Sequence, residues 1–183
     1  YRHFPEVIPR KSVKRLEEAL SFVPNFTSMD QLETRKDELA TVEIIFSTWG
    51  APTFTKEQLE TYFPALKAYF YGAGSVQYFA KPYLEQGVRV FSAAAANAVP
   101  VAEYCLAQII LANKGYYQSS RLYKAQGWQD AKDNFKQMPG NYDETVGLIG
   151  CGAIARDLIQ LMKPLNLEII VYDPYLPDQR AKD

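Results

Sequence analysis

Cysteine is scarce in this chain: Cys105 and Cys151 are the only two. Two cysteines cannot build a disulfide framework, and both fall on segments that read as buried, so a reducing, cytoplasmic setting is expected. Histidine is scarcer still. His3 stands alone near the N-terminus, outside any motif, and reads as a surface residue; no metal site is expected. Neither sign of charge is in excess: the net charge is −1, and no basic stripe offers a footprint for counterion-driven nucleic-acid binding. Long apolar runs are missing as well. Windows such as 99–112 are interrupted by Glu103 and Gln108 and read as too short and too polar to span a bilayer. No signal-peptide pattern opens the chain, and it starts at Tyr1 rather than Met, so residues ahead of it are expected. What the chain does have is apolar material. At 48% of 183 residues it suffices for one or two small packed domains.

There is no repeat, low-complexity tract or long charge run. Strand and helix patterns alternate, which is the α/β pattern. Ser28-Met29-Asp30-Gln31 and Thr55-Lys56-Glu57-Gln58 are capping-box starts, followed by Leu32, Leu39 and Val42 in one case and Leu59, Tyr62 and Phe63 in the other. Buried strands are predicted over 43–47, 66–71 and 88–91. A short helix over 77–85 should stop at Gly87, in the position that favours a left-handed residue. A long helix is predicted from Pro100, which suits a first turn, to about Gln126. Residues 127–143 are polar and read as surface loop. A strand over 145–149, a helix over 153–163 and a strand over 167–172 close the pattern. Asn166 is a candidate for the left-handed stop between the last two. One βαβ unit exposes two strand edges and most of an apolar face, so the chain is expected to be a fragment of something longer.

Gly150-Cys151-Gly152-Ala153-Ile154-Ala155 fits G-x-G-x-x-A, and it follows one strand and opens one helix. The first glycine permits a tight turn, the second lets backbone approach a pyrophosphate, and the small third residue allows close helix–strand packing. The amides of Ala153 and Ile154 at the helix start would face phosphate oxygens, favoured by the helix dipole. Asp173 follows at about the 20-residue spacing of the acid that binds the adenine ribose. A carboxylate there accepts from two hydroxyls and repels a 2′-phosphate, which favours NAD over NADP. The other reading of these residues is a tight βα turn with a solvated Asp before Pro174. Cys151 occupies the variable position and reads as a small filler.

With these blocks in order, the chain resembles the D-2-hydroxyacid dehydrogenases, the family of phosphoglycerate, glycerate and D-lactate dehydrogenases. Tyr71-Gly72-Ala73-Gly74-Ser75-Val76 is similar to that family's substrate-domain glycine loop. Gly87-Val88-Arg89-Val90-Phe91, followed by Asn97-Ala98-Val99-Pro100-Val101-Ala102-Glu103, resembles the approach to its interdomain helix. The turn at Gly150 and the run Val171-Tyr172-Asp173-Pro174-Tyr175 resemble its cofactor blocks. The resemblance implies a flavodoxin-like substrate domain over 1–97, then the interdomain helix and the incomplete start of a Rossmann NAD-binding domain over 98–183. It implies hydride transfer between C2 of a 2-hydroxy acid and nicotinamide. Gly72, Ala73, Gly74 and Ser75 would bind the substrate carboxylate through backbone amides; an ordinary turn using glycine for positive φ is the alternative. Asn97 has two readings, a residue near the cleft and a helix cap.

The resemblance also marks departures. The family's catalytic Arg, Glu and His belong to a part of the nucleotide lobe that this chain does not contain. Glu103, Arg121 and Arg156 match no catalytic block. Val76 stands where the family usually has Asp, and Phe70 and Tyr71 stand where phosphoglycerate dehydrogenases place Arg, which weighs against a phosphorylated substrate. Trp49 ends a strand on the side where α/β sheets bind ligands; it reads either as a wall of the substrate pocket or as core. The expectation is an NAD-dependent 2-hydroxyacid dehydrogenase, inactive as this piece alone, and homodimeric through the long helix. A corepressor-like NAD-binding protein on the same scaffold is the alternative.

Overall fold

Two separate parallel sheets organise the computed structural model, which describes residues 8–23, 25, 26, 28–177 and 179. His3 lies outside the described residues. The chain divides after Asn97 into two compact units.

In the first unit, strands β1 (Ile44–Ser47), β2 (Ala68–Tyr71) and β3 (Arg89–Ser92) lie side by side in that order, all parallel. Parallel neighbours need a crossover, and helices α4 (Lys56–Tyr62) and α5 (Ala80–Glu85) supply it. Helices α1 (Arg10–Glu17), α2 (Gln31–Thr34) and α3 (Lys36–Leu39) precede β1. One sheet face buries Tyr69 and Tyr71 among Leu39, Leu59, Phe63, Phe79 and Tyr83. On the sheet, Phe46, Phe70 and Phe91 sit opposite one another in register, their rings stacked at centroid spacings of 5.3 and 4.7 Å. Burial pushes the Tyr69 hydroxyl up, against a 2.6 Å hydrogen bond from Ser47 Oγ. Burial also raises that of Tyr83.

The box at Thr55 forms as read: Gln58 N–H donates to Thr55 Oγ1 at 3.2 Å and Thr55 N–H to Gln58 Oε1 at 3.0 Å. The box at Ser28 forms only in part. Gln31 reaches back to the Ser28 amide, but Ser28 Oγ accepts from Asp30, and the helix breaks into α2 and α3 at Arg35. Helix α5 starts at Ala80, later than predicted, and ends as predicted. Gly87 has φ +78; its amide donates to Leu84 O and the Val88 amide to Tyr83 O, the paired bonds of a Schellman stop.

The predicted long helix is two helices and begins earlier. Helix α6 spans Ala94–Asn113 and α7 spans Tyr116–Gln126, separated at Gly115, whose φ is +67. Pro100 therefore lies inside α6, where it leaves the Ala96 carbonyl without its helical donor. Asn97 is in the first turn, not at the cap; its amide donates to Ala93 O. With the added alanines α6 is longer than the apolar windows read from the sequence, and by length and composition alone it would suffice to cross a bilayer. Its Ala102, Cys105, Leu106 and Ile109 nonetheless pack in the core of the second unit. The predicted loop over 127–143 contains helix α8 (Trp128–Lys136), which packs along α7 and buries Ala131.

Strands β4 (Glu144–Ile149) and β5 (Leu167–Tyr172) pair in parallel through α9 (Ala153–Met162). Val146, Leu148, Leu167 and Ile169 face α9, whose Leu158 and Met162 are buried. On the other face Ile149, Ile170 and Tyr172 are exposed, Ile149 to 93%. Asn166 does not take the left-handed conformation. Asp143 does, with φ 55, and its carboxylate accepts from the Asn166 amide at 3.4 Å. Both cysteines are half-buried rather than buried.

Candidate functional site

The glycine turn of the second unit sits where β4 ends and α9 begins. Gly150 has φ +92, a conformation that excludes other residues at low cost, and its amide donates to Tyr172 O at 2.7 Å. Gly152 is different. Its φ of −72 and ψ of −168 suit any residue, and a Cβ there would meet nothing within 4 Å. No described residue crowds position 152, so the open space beside it fits a phosphate approached by bare backbone. No side chain caps α9, and its first turn holds no acid. The amides of Ala153 and Ile154 are thus first-turn donors without helical partners.

Asp173 closes the other side of the turn. Its Oδ2 accepts the Cys151 amide at 2.6 Å and its Oδ1 accepts the Tyr175 amide at 2.8 Å. The Cys151 bond first, then that of Tyr175, hold its carboxyl below the usual aspartate range. Each carboxylate oxygen retains a lone pair, so the group can still accept from ribose hydroxyls while it ties β5 to the turn. The Arg156 guanidinium donates to Cys151 O at 3.3 Å and brings a cation to the turn. That role was not read from the sequence, although Arg156 sits one helical turn beyond Gly152. These residues together fit a dinucleotide.

The glycine loop of the first unit follows β2. Gly72 N–H donates to Ser47 O at 2.8 Å, and a Cβ on Gly72 would stand 3.3 Å from that oxygen. Close approach to β1, not positive φ, explains this glycine; neither Gly72 nor Gly74 has positive φ. Ser92 Oγ, at the end of β3, donates to Ala73 O at 3.2 Å and also reaches Gly74 O. With those carbonyls tied down, the amides of Gly74, Ser75 and Val76 have no acceptor among the described residues. Such a run of free amides can bind an anion. Ser92 was not singled out in the sequence, because only the register of β3 on β2 brings it there. Asn97 stands beside the loop: its Nδ2 is 3.5 Å from where a Gly74 Cβ would be. Thr48, at the end of β1, is fully buried with an unpaired hydroxyl among the described residues. Trp49 beside it is 52% exposed, which removes the core reading. No cluster of metal-ligating side chains occurs among the described residues.

Residues 106–183 match the D-isomer specific 2-hydroxyacid dehydrogenase, NAD binding domain. The (S)-sulfolactate dehydrogenase of Chromohalobacter salexigens is 33% identical over 97 residues, 53% of this chain and 30% of the relative. The D-3-phosphoglycerate dehydrogenase of Methanocaldococcus jannaschii is 31% identical over 98 residues, 54% of this chain and 18% of the relative. The chain thus spans less than a third of the length of these curated relatives. Among solved structures, a phosphoglycerate oxidoreductase from Rhizobium etli superposes with a TM-score of 0.67 at 17% identity, covering 98% of this chain and 56% of that one. D-lactate dehydrogenase from Aquifex aeolicus, complexed with NAD and lactic acid, superposes at 0.65 with 21% identity, covering 96% and 52%. At those identities the superpositions establish the fold. The family match falls on residues 106–183, and that part of the chain is similar to the NAD-binding domain of the D-isomer specific 2-hydroxyacid dehydrogenases.

Proposed function

We propose that this chain belongs to an NAD-dependent oxidoreductase that interconverts 2-hydroxy and 2-oxo acids, and that it carries the substrate loop and the nucleotide turn. The observation that carries the reading is the turn at Gly150 and Gly152, open to a phosphate and latched by Asp173. Bound nicotinamide would take the hydride from C2 of the hydroxy acid. Gly150, Gly152 and the amides of Ala153 and Ile154 would hold the pyrophosphate, and Asp173 the adenine ribose. The amides of Gly74, Ser75 and Val76 would hold the substrate carboxylate and fix the face of C2. The proton on the hydroxyl needs a base. The matched relatives named above are dehydrogenases, which favours an enzyme over the corepressor-like reading.

The protein is proposed to act as a homodimer through the region of α6, where Val99, Val101 and Tyr104 are exposed. Its cysteines are free thiols, in keeping with a cytoplasmic setting.

Calorimetric titration tests the cofactor assignment. NAD should bind the 183-residue chain saturably and more tightly than NADP, with no oxidation of NADH when 2-oxo acids are added. Absence of heat at millimolar NAD would remove the assignment.

A further inference from the structure

We propose that the substrate portion of this site takes a 2-oxo or 2-hydroxy acid whose side chain is uncharged and apolar, with Trp49 as its wall. The inference rests on the oxidoreductase reading above and narrows it.

Ligands of parallel α/β sheets gather outside the carboxyl ends of the strands. In the first unit those ends are the segments after β1, β2 and β3. Residues 44–55, 68–80 and 90–97 contain no Lys, Arg, His, Asp or Glu. The free amides of Gly74, Ser75 and Val76 can satisfy one carboxylate. A second anionic group, whether carboxylate, sulfonate or phosphate, would find no cation in any of these segments. Taking a charge out of water without a partner is costly.

What the strand ends offer instead is apolar surface. Trp49 is 52% exposed although it directly follows the fully buried Thr48. The next residue, Gly50, turns the chain at φ +69. Two positions before Trp49, Ser47 O holds the Gly72 amide, so the indole and the carboxylate-binding loop hang from one anchor. At the end of β3, residues 93–96 are all alanine, and Ala94, Ala95 and Ala96 are exposed. At the strand ends of one sheet, an exposed indole after β1 and small methyl side chains after β3 gain by covering apolar atoms and offer a charge nothing but the indole ring.

Trp49 and Trp128 are the only tryptophans. In Trp128→Phe, the emission of the 183-residue chain therefore reports on Trp49 alone. With NAD present, 2-oxoisocaproate should perturb that emission and bind at least tenfold more tightly than oxaloacetate or 3-phosphohydroxypyruvate. By calorimetry, Trp49→Ala should lose most of that preference, and Trp49→Arg should reverse it, both with unchanged circular dichroism. Equal or tighter binding of either doubly anionic acid overturns the proposal, as does a preference that survives both substitutions. If NAD binds and no 2-oxo acid does, the proposal fails while the nucleotide assignment stands. If 2-oxoisocaproate is preferred but NAD does not bind, the oxidoreductase reading fails and the apolar acid site stands.

Discussion

Gly150 and Gly152 are both glycines of one motif, yet they are glycine for different reasons. At Gly150 the backbone itself demands it, with φ +92. At Gly152 the backbone is ordinary and the space is empty. Gly152→Val should therefore leave folding stability within about 0.5 kcal/mol of the parent, as for surface changes that touch no packed group. It should also abolish measurable NAD binding, because the side chain would fill the phosphate's place. Loss of stability together with binding would show that glycine serves the fold at 152. Asp173 adds a pH term. Its folded pKa is depressed, so the stability it contributes is complete above the ordinary aspartate range and is lost as pH falls through the lower folded value. The spacing of these three residues was legible in the sequence. The Asp173–Cys151 bond was not, nor was the Ser92 tie on the other loop. Both join residues that only strand register brings together.

At the scale of elements, legibility followed how local the signal was. The box at Thr55 needs only residues 55–58, and it forms in full. Thr55→Ala should cost about 1 kcal/mol by removing an acceptor that the first turn of α4 cannot replace. Urea denaturation followed by circular dichroism reads this directly; an unchanged midpoint would show that the cap carries no stability. The break at Gly115 is not local. A Cβ there would stand 2.3 Å from Met138 Cγ, a residue more than twenty positions away, so the close approach of the segment after α8 accompanies the interruption between α6 and α7. The helix α8 was missed because polar residues dominate its sequence and only Ala131 is buried, its Trp128 and Phe135 being exposed. The stop after α9 was assigned to Asn166, whereas Asp143 adopts the left-handed conformation and accepts from Asn166.

For the whole molecule, the decisive contrast is between the two cores. The first unit buries a cluster rich in large side chains, among them Phe54, Leu59, Phe63, Tyr69 and Tyr83, around a three-stranded sheet. The core cluster of the second has just Ala102, Leu158 and Met162 as its buried members among the described residues, around two strands whose other face is open. Apolar burial drives folding roughly in proportion to area, and a two-strand sheet covered on one side has little of it. The α/β class was legible from the alternation of strands and helices, but this imbalance was not, because burial depends on what the faces meet. Amide hydrogen exchange should consequently be slowest in β2 and α5 and faster by at least tenfold in β4 and β5. A ligand that binds only the folded form stabilises by RT ln(1 + [L]/Kd), about 2.7 kcal/mol at a hundredfold excess over Kd. NAD at that excess should slow exchange in β4, α9 and β5 by roughly a hundredfold and leave β1, β2 and β3 unchanged. Uniform slowing across both sheets would mean that the units open together, and the separate stability argued here would be lost.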